Sequence, residues 1–129
     1  MKYYLTRRLP GADFGATVEH VREALAAEGF GILTEIDVQA TLREKLGAEM
    51  DPYLILGACN PPLAQRAIGV EPQIGVLLPC NVVVRVEDDD VVVDAIEPES
   101  VMELVDSPGM ADIATEVRTR LESVVAAVA

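Results

Sequence analysis

The sequence predicts an α+β domain of two layers, with one mixed sheet of about five strands and helices mainly on one face. Apolar residues recur with a period of two in some segments and of about 3.6 in others, so strands and helices are interleaved. The predicted order is β-α-β-α-β-α-β-β-α-α. No Ser/Gly-rich linker and no shift in composition divides the 129 residues, and we therefore expect a single domain over residues 1–129.

Local signals in the first half of the chain define two strand–helix units. Pro10-Gly11 ends the first strand, Asp13 is a helix cap, and Gly29 and Gly47 are typical helix stops. The patterns predict an edge strand over 2–9, a helix with the apolar face Phe14, Val18, Val21 and Leu25, a strand over Gly31–Asp37 and a helix over Val38–Leu46.

The second half begins with a strand that is apolar on both faces. This strand is therefore expected to be central and covered on both sides, and a homodimer is the simplest way to bury the second face of the sheet. The acidic run 87–90 predicts a hairpin. The expected elements are a strand over Tyr53–Cys59, a helix begun by Asn60-Pro61, strands over Gly75–Val86 and Val91–Ile96, a short helix over 98–105 and a long helix from Ser107-Pro108 onward.

Composition excludes several classes of protein. With 22 acidic and 10 basic residues the net charge is -12, which argues against nucleic acid and anionic membranes as partners. Two cysteines are too few for a disulfide scaffold, and neither a leader segment nor an apolar stretch of about 20 residues is present, so a cytoplasmic protein with reduced thiols is expected. Aromatic residues make up only 4%, which disfavours a flat-ring cofactor held by stacking, and the sequence identifies no other cofactor.

The most specific local feature is a doubled Cys-Asn pair, Cys59-Asn60 and Cys80-Asn81. A helical crossover between their strands predicts parallel pairing, which would bring the two thiols to similar heights on neighbouring or next-neighbouring strands. Pro79 predicts a sheet edge or a bulge. Both thiols are expected to be largely buried and unbridged, and Cys59, beside the helix capped by Asn60, is expected to be the more reactive.

One carboxylate joins these residues in the predicted site. Glu35 lies near the end of a strand, where ligands gather in open α/β sheets. The candidate ligand-binding set is therefore Glu35, Cys59, Asn60, Cys80 and Asn81, and the catalytic candidates within it are Cys59, Cys80 and Glu35. No metal site is expected, because a structural zinc needs four ligands and the single histidine, His20, lies on a helix flank.

Three segments resemble the family called domain of unknown function 302. They are residues 29–37, 53–61 and 77–82, within a resemblance that runs from about Tyr3 to Glu97. The resemblance implies a small α+β domain found in bacteria and archaea. It implies no reaction.

Three hypotheses about function follow. The leading one is a dimeric binding module for an unknown small ligand near the strand ends at Cys59 and Cys80. The first alternative is a thiol-based redox or nucleophilic enzyme that uses Cys59 with Cys80. The second is a purely structural or interaction protein, in which both cysteines are small buried hydrophobes.

Overall fold

The computed structural model of the chain describes residues 2–129. The strands are β1 (Tyr4–Leu9), β2 (Gly31–Asp37), β3 (Tyr53–Cys59), β4 (Cys80–Glu87) and β5 (Asp90–Ile96). The helices are α1 (Phe14–Ala27), α2 (Val38–Leu46), α3 (Pro61–Val70), α4 (Pro98–Met102) and α5 (Met110–Ala127), and a 3₁₀ helix spans Pro72–Leu77.

The five strands form one open sheet in the order β1-β5-β4-β3-β2, and every neighbouring pair is antiparallel. The predicted α+β class with five strands is confirmed, and β1 is an edge strand as expected. The predicted mixed sheet, with β3 and β4 parallel, is wrong. A parallel crossover needs a helix that runs back along the whole strand, about 23 Å for seven residues, whereas the ten residues of α3 rise only about 15 Å.

The connection between β3 and β4 also explains an error in the predicted boundaries. The apolar run from Gly75 was expected to continue as strand, but it belongs to the 3₁₀ helix that begins at Pro72. The strand starts only at Cys80, so Pro79 precedes the ladder rather than interrupting it. The irregularity of the sheet lies in β2 instead, between Ile32 and Thr34.

The acidic turn closes a tight hairpin between β4 and β5, as predicted. Glu87 is opposite Asp90, and the two residues between them, Asp88 and Asp89, have positive φ angles of 50° and 67°. This backbone geometry suits a two-residue hairpin because it follows the twist of the strands. Aspartate adopts it more readily than most residues do.

One face of the sheet forms the hydrophobic core with the helices. Alternate residues of each central strand are buried there, such as Leu56 of β3, Val82 of β4 and Val93 of β5. They pack in one cluster with the apolar stripes of α1 and α5, which include Leu25 and Leu121. Residues of α1, α3 and α5 thus pack against this face of the sheet, whereas α2 contributes no buried residue.

The opposite face of the sheet carries a mixture of apolar and charged side chains. Ile55 of β3 and Val83 of β4 are directly opposite each other and half-buried. Within residues 2–129, the buried apolar residues of α1, α3 and α5 pack against the other face. These three helices therefore leave the second face of β3 uncovered, although the sequence predicts that both faces are covered.

Gly57 allows β3 to lie close to its surroundings. A Cβ at this position would clash with the Thr34 hydroxyl and lie 2.8 Å from Cγ of Pro79. Contacts below 3.0 Å do not occur for real Cβ atoms. The absence of a side chain at Gly57 therefore permits β2 and the entry to β4 to approach β3 from both sides.

Replacing Gly57 by alanine should lower the free energy of unfolding by about 1–3 kcal/mol, because the added methyl group overpacks this contact. Urea unfolding measures the change. The matched control is Gly69→Ala in α3, where a Cβ meets no atom within 4 Å and the stability should be equal or slightly higher. Equal stability of Gly57→Ala and the parent chain would show that the close approach does not constrain the sheet.

Candidate functional site

A cavity of about 330 Å³ lies where the ends of β3 and β4 meet α3, α4 and α5. Its wall is almost entirely apolar. The larger lining side chains are Phe30, Leu63, Leu78, Ile113 and Val117. Two further lining residues, Leu33 and Ile68, are 66% and 49% exposed and so extend the apolar surface out to solvent.

Both cysteines line this cavity. Cys80 opens β4 directly opposite Ala58, the residue before Cys59, so the two thiols lie on neighbouring strands as expected. The antiparallel register, and not the predicted parallel crossover, brings them to the same end of the sheet. Both are free thiols; Cys80 is buried and Cys59 is half-buried.

The environment of Cys80 strongly disfavours its thiolate. Burial, with a smaller contribution from a charge on Cys59, raises the pKa of the Cys80 thiol from 9.0 to about 11. Cys80 is therefore protonated at neutral pH. This agrees with the apolar surroundings that the valine run after it predicts.

Asn60 is buried at the cavity wall, and both ends of its amide are engaged. Its side-chain oxygen accepts a hydrogen bond from the Leu63 amide at 3.3 Å, which is the predicted cap of α3. Its Nδ2 donates to the Glu28 carbonyl at 3.4 Å, at the end of α1. Asn60 thus joins two helices, and its amide is already committed to backbone partners.

The structure places Glu35 and Asn81 outside the cavity. Glu35 is half-exposed and forms an ion pair with Arg22 of α1 at 2.8 Å. Asn81 follows Cys80 in the strand, so the alternation of side chains turns it to the opposite face. There it lines a groove of about 500 Å³ with Tyr53 and Arg85. Of the five predicted site residues, the structure thus brings together Cys59, Asn60 and Cys80.

Sequence reasoning missed the contribution of the last two helices. Met102 ends α4 and Met110 begins α5, and both line the cavity together with Pro98. The short helix α4 is held in place by Glu97, whose carboxylate accepts a hydrogen bond from the Ser100 amide at 2.6 Å and pairs with Arg118 of α5. The sequence predicted both helices, but nothing in it indicated that they reach the ends of β3 and β4.

The side chains that most often bind metals in proteins are not clustered in the described part of the chain. Within residues 2–129, no three His, Cys, Asp or Glu side chains are grouped closely enough to hold a metal ion. His20 is exposed on α1, and its Nδ1 lies 2.9 Å from the Ala129 carbonyl oxygen. Among the described residues, no helix is both long and apolar enough to span a bilayer.

The groove on the open face of the sheet lies beside a network of ion pairs. Arg85 binds Asp94 at 2.8 Å and Glu87 at 3.0 Å, and Arg8 binds Glu87 at 2.7 Å and Asp90 at 2.9 Å. The hydrogen bond from Arg85 and the charge of Arg8 hold the pKa of Glu87 below its usual value. These charges are thus largely compensated within the face.

Comparison with known proteins gives the family. The profile of the family described as domain of unknown function DUF302 matches residues 5–128. The chain belongs to the DUF302 family. A crystal structure titled as an uncharacterized conserved protein DUF302 from Bacillus stearothermophilus is similar, with a TM-score of 0.92 and 28% identity over 100% of both chains. No match was found among curated proteins. The predicted family is therefore confirmed, and with it the α+β fold.

Stability at high pH should report the environment of Cys80. The folded chain holds the Cys80 proton up to a pKa of about 11, against 9.0 for an ordinary thiol. The protonated thiol thus makes its full contribution to the free energy of unfolding below pH 9, and this contribution is lost as the pH rises toward 11. Between these values the parent chain should lose about 2–3 kcal/mol more stability than Cys80→Ala.

Denaturant unfolding at several pH values measures this difference. The matched control is Cys59→Ala, which retains the buried thiol and the desolvation that contributes most to its shift, and which should therefore lose most of the same stability with pH. Parallel pH profiles for the parent and Cys80→Ala would contradict the assignment.

Proposed function

We propose that this DUF302 domain binds a small, largely apolar and uncharged molecule in the cavity at the ends of β3 and β4. The observation that carries the proposal is the size of the cavity together with its apolar wall. Apolar cavities of about 150 Å³ already bind benzene, and ligand pockets begin at about 300 Å³. At about 330 Å³ the cavity falls in this range.

The packing around the cavity supports the proposal. Protein interiors rarely leave voids larger than a water molecule, since each unfilled volume costs stability. Here small side chains on two helices, Ala64 and Ala67 of α3 and Ala114 of α5, face the space. A ligand that fills it would restore the missing apolar contacts.

The charge distribution narrows the class of ligand. The wall offers no charged side chain, and the buried amide of Asn60 already has two partners. A charged group inside the cavity would lose its hydration without compensation. The net charge of -12 further disfavours anions. We therefore expect neutral ligands, held by apolar contact.

Filling the cavity should abolish binding. Ala67→Phe places a large side chain into the space, and the affinity for the neutral fluorophore N-phenyl-1-naphthylamine should fall at least about tenfold, because several apolar contacts are lost. Fluorescence titration measures the affinity. The matched control is Ala26→Phe, at an exposed alanine of α1, which should bind as the parent does.

A second cavity-filling variant, Ala114→Leu, is used if Ala67→Phe does not fold. Circular dichroism measures whether each variant is folded. Failure of the folded parent to bind the fluorophore, or unchanged affinity in a folded cavity-filling variant, would contradict the proposal.

We propose further that the chain forms a homodimer through the open face of the sheet. Apolar side chains lie at its centre, Ile55 and Val83. Its ion pairs join two arginines with three carboxylates, so the network carries a net charge of only -1, whereas the whole chain carries -12. Two copies that meet through this face therefore repel each other less than two copies that meet through a strongly acidic surface.

A charge at the centre of this face should prevent association. Light scattering at micromolar concentration should give twice the chain mass of 13.8 kDa for the parent and 13.8 kDa for Val83→Asp, since an unpaired buried charge is costly. The matched control is Val76→Asp, at a residue that is 86% exposed in the 3₁₀ helix, and it should remain dimeric. A parent mass of 13.8 kDa would overturn the proposal.

The thiol-based and purely structural hypotheses stay predictions. The high pKa of Cys80 speaks against it as a nucleophile near neutral pH, which leaves Cys59 as the reactive thiol of the pair. Alkylation of Cys80→Ser and Cys59→Ser separates these hypotheses. A thiol that reacts well above the rate of a free cysteine supports chemistry at the site.

A further inference from the structure

Two exposed apolar side chains extend the wall of the cavity into solvent. Leu33 of β2 and Ile68 of α3 both line the cavity, yet they remain 66% and 49% exposed. A single exposed leucine is ordinary on a protein surface, but exposed apolar surface that is continuous with a cavity is typical of ligand-binding sites. We call these two residues the apolar rim, because the apolar surface of the cavity continues over them into water.

A bulge in β2 brings Leu33 to the apolar rim. Two consecutive residues of β3 are opposite Ile32 and Thr34, so Leu33 between them is an extra residue without a partner in β3. Strict alternation along the strand would turn Leu33 away from the side of Ile32, which packs against the core. Leu33 nevertheless lines the cavity. Bulges re-aim side chains in this way and are frequent beside active sites.

The wall behind the rim can adjust to the shape of a flexible chain. Met102 and Met110 contribute to it from two different helices. A methionine side chain has three rotatable bonds and fills irregular spaces readily, which is why methionines are frequent on surfaces that accept several partners. A chain that rotates about each of its own bonds can therefore be enclosed without a change in the backbone.

Charged side chains close in sequence to both rim residues are already paired. Glu35, two residues after Leu33, pairs with Arg22 at 2.8 Å. Arg66, two residues before Ile68, lies 3.8 Å from a carboxylate oxygen of Glu116 in α5. A charged head group at the rim would have to compete with these ion pairs, and the net charge of -12 further disfavours an anion. A hydroxyl or another neutral head group needs only water as its partner.

We propose that the ligand of the cavity is an unbranched alkyl chain with a neutral polar head group, whose tail fills the cavity and whose remaining methylene groups lie across the apolar rim of Leu33 and Ile68. This inference rests on the proposed function and names the class of ligand. Every methylene group that leaves water at the wall or the rim adds affinity. The head group stays in water, because inside the apolar wall it would lose its hydrogen bonds without replacement.

Displacement of N-phenyl-1-naphthylamine from the full chain by straight-chain primary alcohols, from hexanol to dodecanol, tests the chain. Each added methylene group should raise the affinity about fourfold, which is the gain expected for its full burial. Dodecanoate, which carries a charged carboxylate at neutral pH, should bind more weakly than dodecanol. An affinity that does not rise with chain length, or tighter binding of dodecanoate, would overturn the proposal.

Substitutions at the apolar rim test where the end of a long chain lies. Leu33→Ser should lower the affinity for dodecanol at least about fivefold, because the outer methylene groups lose their contacts. It should leave the affinity for hexanol unchanged, because the shorter chain lies inside the cavity. Ile68→Ser should behave in the same way. Both residues are exposed, so neither substitution should unfold the chain.

The matched control is Leu46→Ser, at a residue of α2 that is 75% exposed and lies outside the cavity. This variant should bind both alcohols as the parent does. Equal losses of affinity for hexanol and dodecanol in the two rim variants, or no loss for either alcohol, would overturn the proposed path of the chain.

The fluorophore separates this inference from the proposed function on which it rests. If the parent binds N-phenyl-1-naphthylamine but its affinity for alcohols does not rise with chain length, the alkyl-chain proposal alone fails. If the parent binds neither the fluorophore nor, in a direct calorimetric titration, dodecanol, the proposed function fails as well.

Discussion

The antiparallel register of β3 and β4 is the constraint on which the rest of the structure depends. It sets Ala58 opposite Cys80 and Gly57 opposite Asn81. The chain must then leave β3 and enter β4 at the same end of the sheet. Everything between these strands, α3 and the 3₁₀ helix, is consequently packed at that end, beside the C-terminal helices.

The cavity follows from this crowding of short elements. The side of α3 that faces the sheet end carries small residues such as Ala64 and Ala67, which leave part of the space beside α5 unfilled. The single turn of α4 closes the remaining side and is fixed through Glu97 and Arg118. The fold therefore builds an apolar space from well-anchored walls, which is the arrangement that a preformed binding site requires.

The sequence predicts helix caps correctly, because the hydrogen bond of a cap joins residues that are only a few positions apart in the chain. The predicted caps Asp13 and Asn60 accept a hydrogen bond from the helix that follows each of them, and Asp37 caps α2 in the same way. The direction of β4 was not predictable in this way, because the apolar alternation of a strand carries no direction. The run from Gly75 was misread for a related reason, since a short apolar segment does not distinguish a strand from a tight helix.

The candidate site was predictable only in part, because most of its residues are brought together by tertiary packing and not by neighbouring positions in the sequence. Cys59 and Asn60 adjoin in sequence, and the doubled Cys-Asn motif pointed to Cys80. Side-chain alternation then separates Asn81 from its neighbour, and an ion pair holds Glu35 beside α1. Met102 and Met110 reach the cavity only through long-range packing of α4 and α5. No spacing in the sequence predicts that these two methionines line the cavity.

The central claim is that the cavity at the ends of β3 and β4 is where the chain binds a ligand. Methyl-resolved NMR of the full chain, titrated with N-phenyl-1-naphthylamine, tests it most directly because it locates the bound molecule. The account predicts shifts and intermolecular contacts at Leu63, Ile113 and Val117. On the open face, Val83 and Ile36, which lies opposite Ile55, should stay unchanged. Contacts confined to the open face, or none at all at saturation, would contradict it.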